Sequence, residues 1–279
     1  MRGKRAFTLV ELLVVIGIIV ILVAILLPIL MRAKRQAQKV VCQANLRSIG
    51  QGLMFYVDDY HYYPGGWKNY ATAPTAIWPT LIRKSLRGSR KVFYCPARST
   101  EFMWTNPPSA GPRLPAPSAF IPFGYEPNEP VVISSTDGRP GWTLFSYAYN
   151  FAGAGGIRNV SNSTPPVLNC RGLGWLLEDS GSVDAIHFIK ATRVKKPAEM
   201  IAIADSNGEF GNFLMTAAEW QTGMPDGSGR TPGYIHQGGA NVLFCDGHVQ
   251  WYLQKDLLVA DWQKGSEPIR RFWNSDNEP

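Results

Sequence analysis

Twenty consecutive residues from Leu12 to Met31, LLVVIGIIVILVAILLPILM, carry no charge. A helix of that length rises about 30 Å, the hydrocarbon thickness of a bilayer. Beyond it, Cys42, Leu46, Ile49, Leu53 and Tyr56 recur at spacings of 4, 3, 4 and 3. That period places them on one face of a continuing helix, the face expected to pack on the rest of the protein. Tyr63-Pro64-Gly65-Gly66 is expected to end it. The pattern then shortens. Val92 to Cys95, Leu144 to Tyr149, Ala185 to Ile189 and Met200 to Ala204 read as strands, and Ile77 to Leu86 as a short amphipathic helix. Ala240 to Cys245 and His248 to Tyr252 flank Asp246-Gly247, which reads as a hairpin with a two-residue type I′ turn. Between residues 107 and 130, eight of 24 positions are Pro, so that stretch reads as an irregular loop.

The expected fold class is α+β: a long N-terminal helix, half transmembrane and half soluble, packed on a β-rich, loop-rich head with antiparallel hairpins. The chain divides into a leader at 1–6, a membrane helix at 7–31, a helix extension at 32–63 and a head at 64–279. Composition agrees, because 27 Gly and 21 Pro favour turns, and 9 Trp, 11 Tyr and 13 Phe can fill a core.

Charge changes the picture once it is located. The net +7 resides in residues 1–47, where Arg2, Lys4, Arg5, Arg32, Lys34, Arg35, Lys39 and Arg47 face Glu11 alone. The remainder balances 20 basic against 20 acidic side chains. A nucleic-acid partner needs a basic face on the head, so none is expected. The basic leader favours a cytoplasmic N-terminus. Arg32, Lys34, Arg35 and Lys39 follow the span, where lipid phosphates or plain solvent would meet them.

Glu11 is the anomaly. A carboxylate at mid-bilayer costs about 2.5–3.5 kcal/mol, less near a helix end. A secretory signal peptide has a shorter apolar run and a small-residue cleavage site; a plain anchor would avoid the acid. Something should pair with it. The segment KRAFTLVELLVVIGIIVILVAILLP resembles the N-terminal cleavage and methylation segment of type IV pilins and type II secretion pseudopilins. The resemblance implies a cut between Ala6 and Phe7, with Ala6 standing where the family usually has Gly. It also implies N-methylation of Phe7, a Glu11 pairing with the amine of a neighbouring subunit, and a kink at Pro28. Its implied partners are a prepilin peptidase and methylase, other pilin-like subunits, an inner-membrane assembly platform and membrane lipid. The implied location is the inner membrane in a single pass, with the head in the periplasm or at the cell surface.

Two further stretches carry resemblance. Cys42, Asn45, Leu46, Arg47, Ile49 and Gly50 match a C-x-x-N-L-[RK]-x-I-G pattern of one subgroup, whose implied job is to weld helix to head. HQGGANVLFCDGHVQW, with nine residues between His236 and Asp246-Gly247, resembles the H-x9-D-G motif of the prepilin-processing-associated family. So does Lys196-Pro197-Ala198-Glu199 with Asp205-Ser206.

Candidate chemistry is sparse. Asp205, His236, Asp246 and His248 form a candidate ligand set for a divalent cation such as calcium; no other cofactor is expected. Turn formation by Asp246, strand capping by Asp205 and a loop hydrogen bond from His236 explain the same residues without a metal. Cys42, Cys95, Cys170 and Cys245 lack CxxC spacing. Two disulfides suit an exported head, with Cys42 and Cys95 paired near the helix–head junction; four buried free thiols are the alternative. No GxSxG, HExxH or phosphate loop occurs, and Ser180, Asp184 and His187 are near only in sequence, so no enzyme is expected. A surface protein that binds a glycan or peptide through its aromatic residues is the alternative to a filament subunit.

Overall fold

The computed structural model describes residues 8–65, 67–70, 73–86, 89–103, 145–150, 172–173, 189–206, 214–215, 231–258 and 271–274. Ala6, Phe7, Cys170, the Pro-rich stretch, residues 185–188 of one expected strand, and Ser180, Asp184 and His187 lie outside them.

Helix α1 runs unbroken from Leu9 to Tyr60, 52 residues or about 78 Å. Pro28 lies inside it, where its missing N–H removes one backbone bond. Its first half, including Ile16, Val20 and Leu27, is exposed on all sides. Its second half buries Cys42, Leu46, Ile49, Leu53 and Tyr56, the face marked by the 4-3 spacing. Burying each such apolar side chain is worth roughly 1.5–3 kcal/mol. Gly50 sits where a Cβ would meet the Leu243 side chain and Gly247 backbone, so it lets the helix approach the sheet closely.

The helix ends at Tyr60, earlier than the Pro-Gly-Gly signal suggests. His61 takes a left-handed conformation (φ 60°) and its N–H returns to the Val57 carbonyl at 2.8 Å. Tyr63 N–H then donates to Ile189 O and Ala191 N–H to His61 O. This bridge to the segment after residue 188 draws the chain out of the helix before Pro64 is reached.

Among the described residues the head holds two sheets. Strands β1 (Trp67–Tyr70) and β2 (Ala73–Ile77) form an antiparallel pair leading into α2 (Trp78–Arg83) and one turn of 3₁₀ helix. The main sheet has order β5-β3-β4-β6-β7, with β3 at Tyr147–Asn150, β4 at Ile201–Asp205, β5 at Leu214–Met215, β6 at Gly239–Phe244 and β7 at Val249–Leu253. Its pairings are antiparallel except β3 with β5. The protein is therefore α+β, a long N-terminal helix on a β-rich head.

The strands β3, β4 and β6 are buried throughout. One face packs Tyr147, Tyr149, Ile203 and Leu243 with the buried stripe of α1. The opposite face packs Ala148, Ala204, Val242 and Phe244 under Leu257 and Trp273. Val92 to Cys95 is not a strand: Lys91–Phe93 is a 3₁₀ turn. Phe93 is pressed edge-on against Trp78, and Cys95 N–H is taken by Ser146 Oγ, so burial and side-chain bonding outweigh β propensity there.

Candidate functional site

Among the described residues, two places combine candidate chemistry with the sequence motifs. The first is the start of α1. Thr8 caps the helix and Glu11 closes a capping box: Thr8 N–H and Thr8 Oγ1 both donate to Glu11 Oε2 (2.9 and 2.8 Å), and Glu11 N–H donates to Thr8 Oγ1 (3.2 Å). In the isolated chain the acid thus already has local donors. These two donors share one oxygen and bring no positive charge.

The second is the junction of stalk and head. Cys42 on α1 and Cys95 after the 3₁₀ turn are joined by a disulfide. Around it, Gln38 Nε2 donates to Pro96 O (2.8 Å), and Asn45 Nδ2 to Tyr94 O (2.9 Å). Lys39 lies 4.0 Å over the Trp251 ring, turned onto the head rather than left for lipid. Cys245 is a buried free thiol, and burial raises its pKa far above the ordinary range.

Asp205 ends β4 and His236 precedes β6, and the sheet brings them to the same spot. His236 Nε2 is 3.6 Å from Asp205 Oδ2 and 3.4 Å from Cys95 Sγ. Both residues are buried. Asp205 Oδ2 accepts from Asn241 N–H at 2.7 Å, while Oδ1 has no hydrogen-bond partner among the described residues. Arg98 reaches in to donate to Ser206 O. His236 is held by its backbone. It exchanges hydrogen bonds with Gly239 across Gln237 (φ 58°) and Gly238 (φ 81°), and its carbonyl accepts from Trp251 Nε1. Two positive φ values make this the type I′ turn. Gly239 is required there, since a Cβ would strike Tyr252 O and the Trp251 ring.

The four expected metal ligands do not converge. Asp246 pairs instead with His248, Oδ1 to Nδ1 at 2.6 Å, on the half-exposed hairpin end. His248 also stacks on Phe244. The Asp-Gly turn differs from the expected form as well: only Gly247 has positive φ (92°), and Gly247 N–H donates to Phe244 O. It is a three-residue loop with Gly in the left-handed position. The loop's own N–H groups explain the difference. Cys245 N–H donates to Met200 O and Asp246 N–H to Pro197 O, which pins the hairpin to the Lys196–Met200 turn.

Sequence reasoning missed Arg98, and it missed that Asp205 and His236 adjoin the disulfide. The C-x-x-N-L pattern held half the signal, since Cys42 and Asn45 both bind the segment 94–95.

The buried pair makes opposing demands on pH. Burial raises Asp205 from 3.8 to about 7, against the pull of Asn241 N–H and Arg98. Burial, helped by Lys39 and Arg98, lowers His236 from 6.5 to about 4. The Asp205 contribution is present below its unfolded pKa and is lost as pH rises through about 7. The His236 contribution is present above 6.5 and is lost as pH falls through about 4. The two slopes oppose across one window. Thermal melts of the detergent-solubilised chain should therefore vary little between pH 4 and 7 on this pair's account. Asp205→Asn should melt higher as pH rises in that window, and His236→Gln lower. Slopes of the same sign in both variants would contradict the pairing.

Taken together, fold and site define a head stapled to a helical stalk whose first half is apolar and uncovered. A family model described as the prokaryotic N-terminal methylation motif matches residues 1–27. No curated protein and no solved structure matches the chain. The match contains Ala6, Phe7 and Glu11, and stops one residue before Pro28. It supports a type IV pilin-like N-terminal segment, of the kind that a prepilin peptidase processes. Among the described residues α1 is the one helix long and apolar enough to cross a membrane, consistent with anchoring by a single helix.

Proposed function

We propose that this protein is a pilin-like structural subunit of the pseudopilin kind, cut between Ala6 and Phe7 and N-methylated at Phe7. Its apolar stalk leaves the inner membrane by packing with neighbouring stalks into a type IV pilus or a type II secretion-like filament. An inner-membrane platform drives that step, and the head lies in the periplasm or at the cell surface. The observation that carries this reading is the methylation motif at residues 1–27, running into a helix whose first half has no protein cover. Helix packing supplies the energy. Glu11, paired with a neighbour's new amine, sets the register.

The head's polar residues fit a structural role better than catalysis. We take the H-x9-D-G stretch as a weld: His236 holds a turn by its backbone, and the Cys245 and Asp246 N–H groups fasten the hairpin to Met200 and Pro197. Mass spectrometry of the chain recovered from membranes tests the processing step. A first residue of N-methylated Phe7 is expected. A chain that still begins at Met1 in cells with an active prepilin peptidase would overturn the reading.

A further inference from the structure

Four side chains of ligand type reach one buried spot from four parts of the chain. Cys42 comes from α1, Cys95 from the turn after Phe93, Asp205 from the end of β4 and His236 from the type I′ turn. One donor atom from each lies within 4.8 Å of the others, and all four residues are buried. We propose that this cluster becomes a tetrahedral Zn2+ site when the Cys42–Cys95 bond is reduced. The ligands are the two Sγ atoms, His236 Nε2 and a carboxylate oxygen of Asp205.

The geometry supports this independently of filament assembly. With Zn–S near 2.3 Å and Zn–N near 2.0–2.1 Å, the edges of a tetrahedral site are about 3.3–3.8 Å. His236 Nε2 already stands 3.4 Å from Cys95 Sγ and 3.6 Å from Asp205 Oδ2. The remaining donor atoms also lie within 4.8 Å of one another, and the sulfur-to-sulfur edge is held short by the covalent bond. Cleavage frees both sulfurs to part by side-chain rotation. Asp205 Oδ1 is buried and has no donor, so the carboxylate has a lone pair to give without breaking an existing bond. Arg98 and Lys39 are the cations that bear on Asp205 and His236. They offset the single negative charge of a site with two thiolates, one carboxylate and Zn2+.

The donor set also selects the ion. Two thiolates and an imidazole suit zinc, whereas calcium takes six to eight oxygens. The reaction balances as follows. A phosphine or dithiol reductant gives two electrons, two protons enter from water or the dithiol, and the disulfide becomes two thiols. Metal entry releases those two protons, and the Asp205 proton wherever that carboxyl still holds one, with His236 neutral. Bond and ion are thus alternative staples between stalk and head, one for oxidising and one for reducing conditions.

The test uses the full-length chain in detergent micelles, reduced with a phosphine under inert gas and titrated with Co2+. One Co2+ per chain is expected, with thiolate-to-cobalt charge-transfer bands and the strong ligand-field bands of a four-coordinate ion, displaced by one Zn2+. The oxidised chain should show none of these. A Cys170→Ser/Cys245→Ser chain should keep the bands, and Cys42→Ser/Cys95→Ser should lose them. His236→Ala should shift and weaken the ligand-field bands. Should that variant fail to fold, the comparison of reduced with oxidised protein and the two cysteine pairs decides the question. A reduced chain that takes up no cobalt, folded or not, would overturn the proposal. So would bands that survive without Cys42 and Cys95, or that vanish with Cys170 and Cys245.

Discussion

A Cys42→Ser/Cys95→Ser chain is expected to lose about 4 kcal/mol of stability. The bond joins residues 53 apart in sequence, and closing a loop of that size in the unfolded chain removes entropy of that order. It also fixes the point where the stalk meets the head, between the Gln38 and Asn45 hydrogen bonds. The stripe from Leu46 to Tyr56 still buries its apolar face in the variant, so the head should fold but release its helix more readily. Single variants should do no better, since each leaves one thiol buried beside His236. Denaturant unfolding followed by tryptophan fluorescence reads the change. A metal-free buffer containing reductant should bring the wild-type chain to the same midpoint and leave the double variant unmoved. Midpoints that coincide for oxidised wild type and double variant would show that the bond does not hold the junction.

The second large effect concerns Glu11. Its carboxylate has two possible duties, and they separate cleanly on substitution. As part of the capping box it needs only an oxygen that accepts from Thr8, and a glutamine amide supplies one. As a partner for the amine freed at Phe7 it needs a charge. A hydrogen bond to a charged group is worth about 1.5–3 kcal/mol, or at least about tenfold in an assembly equilibrium. Glu11→Gln is therefore expected to keep the helix start and enter the membrane as well as wild type or better, yet fail to join a filament. A role confined to the cap would leave Glu11→Gln assembling normally.

Much of this architecture is legible in the sequence, and the boundary of legibility has a physical basis. Helical patterns are local, so Cys42, Leu46, Ile49, Leu53 and Tyr56 declare their buried face by spacing alone. The apolar run declares the anchor by length. The strands at Tyr147–Asn150 and Ile201–Asp205 and the hairpin about Asp246-Gly247 are local patterns too. The details of the turns are not. The type I′ geometry falls at Gln237-Gly238, where Gln is an unusual occupant of a left-handed position, and Asp246-Gly247 takes a longer loop because Pro197 and Met200 hold its N–H groups. Val92 to Cys95 looks like a strand until its neighbours are known: Trp78, Ser146 and Cys42 fix it as a turn. Convergence is the hardest thing to read. Asp205 and His236 come together because β4 and β6 are neighbours in the sheet, and they meet Cys95 because α1 crosses that sheet. No spacing in the chain encodes either fact, so Asp246 and His248 looked equally eligible as ligands.

The carboxylate at position 11 can be weighed directly by expressing wild-type and Glu11→Gln chains together in one cell. Peptide mass spectrometry then gives their ratio in sheared surface filaments and in the membrane fraction. If a neighbour's amine is what tolerates this acid inside an apolar stalk, the two chains should be equally abundant in the membrane while the filaments contain almost only wild type. The same ratio in both fractions would contradict the account.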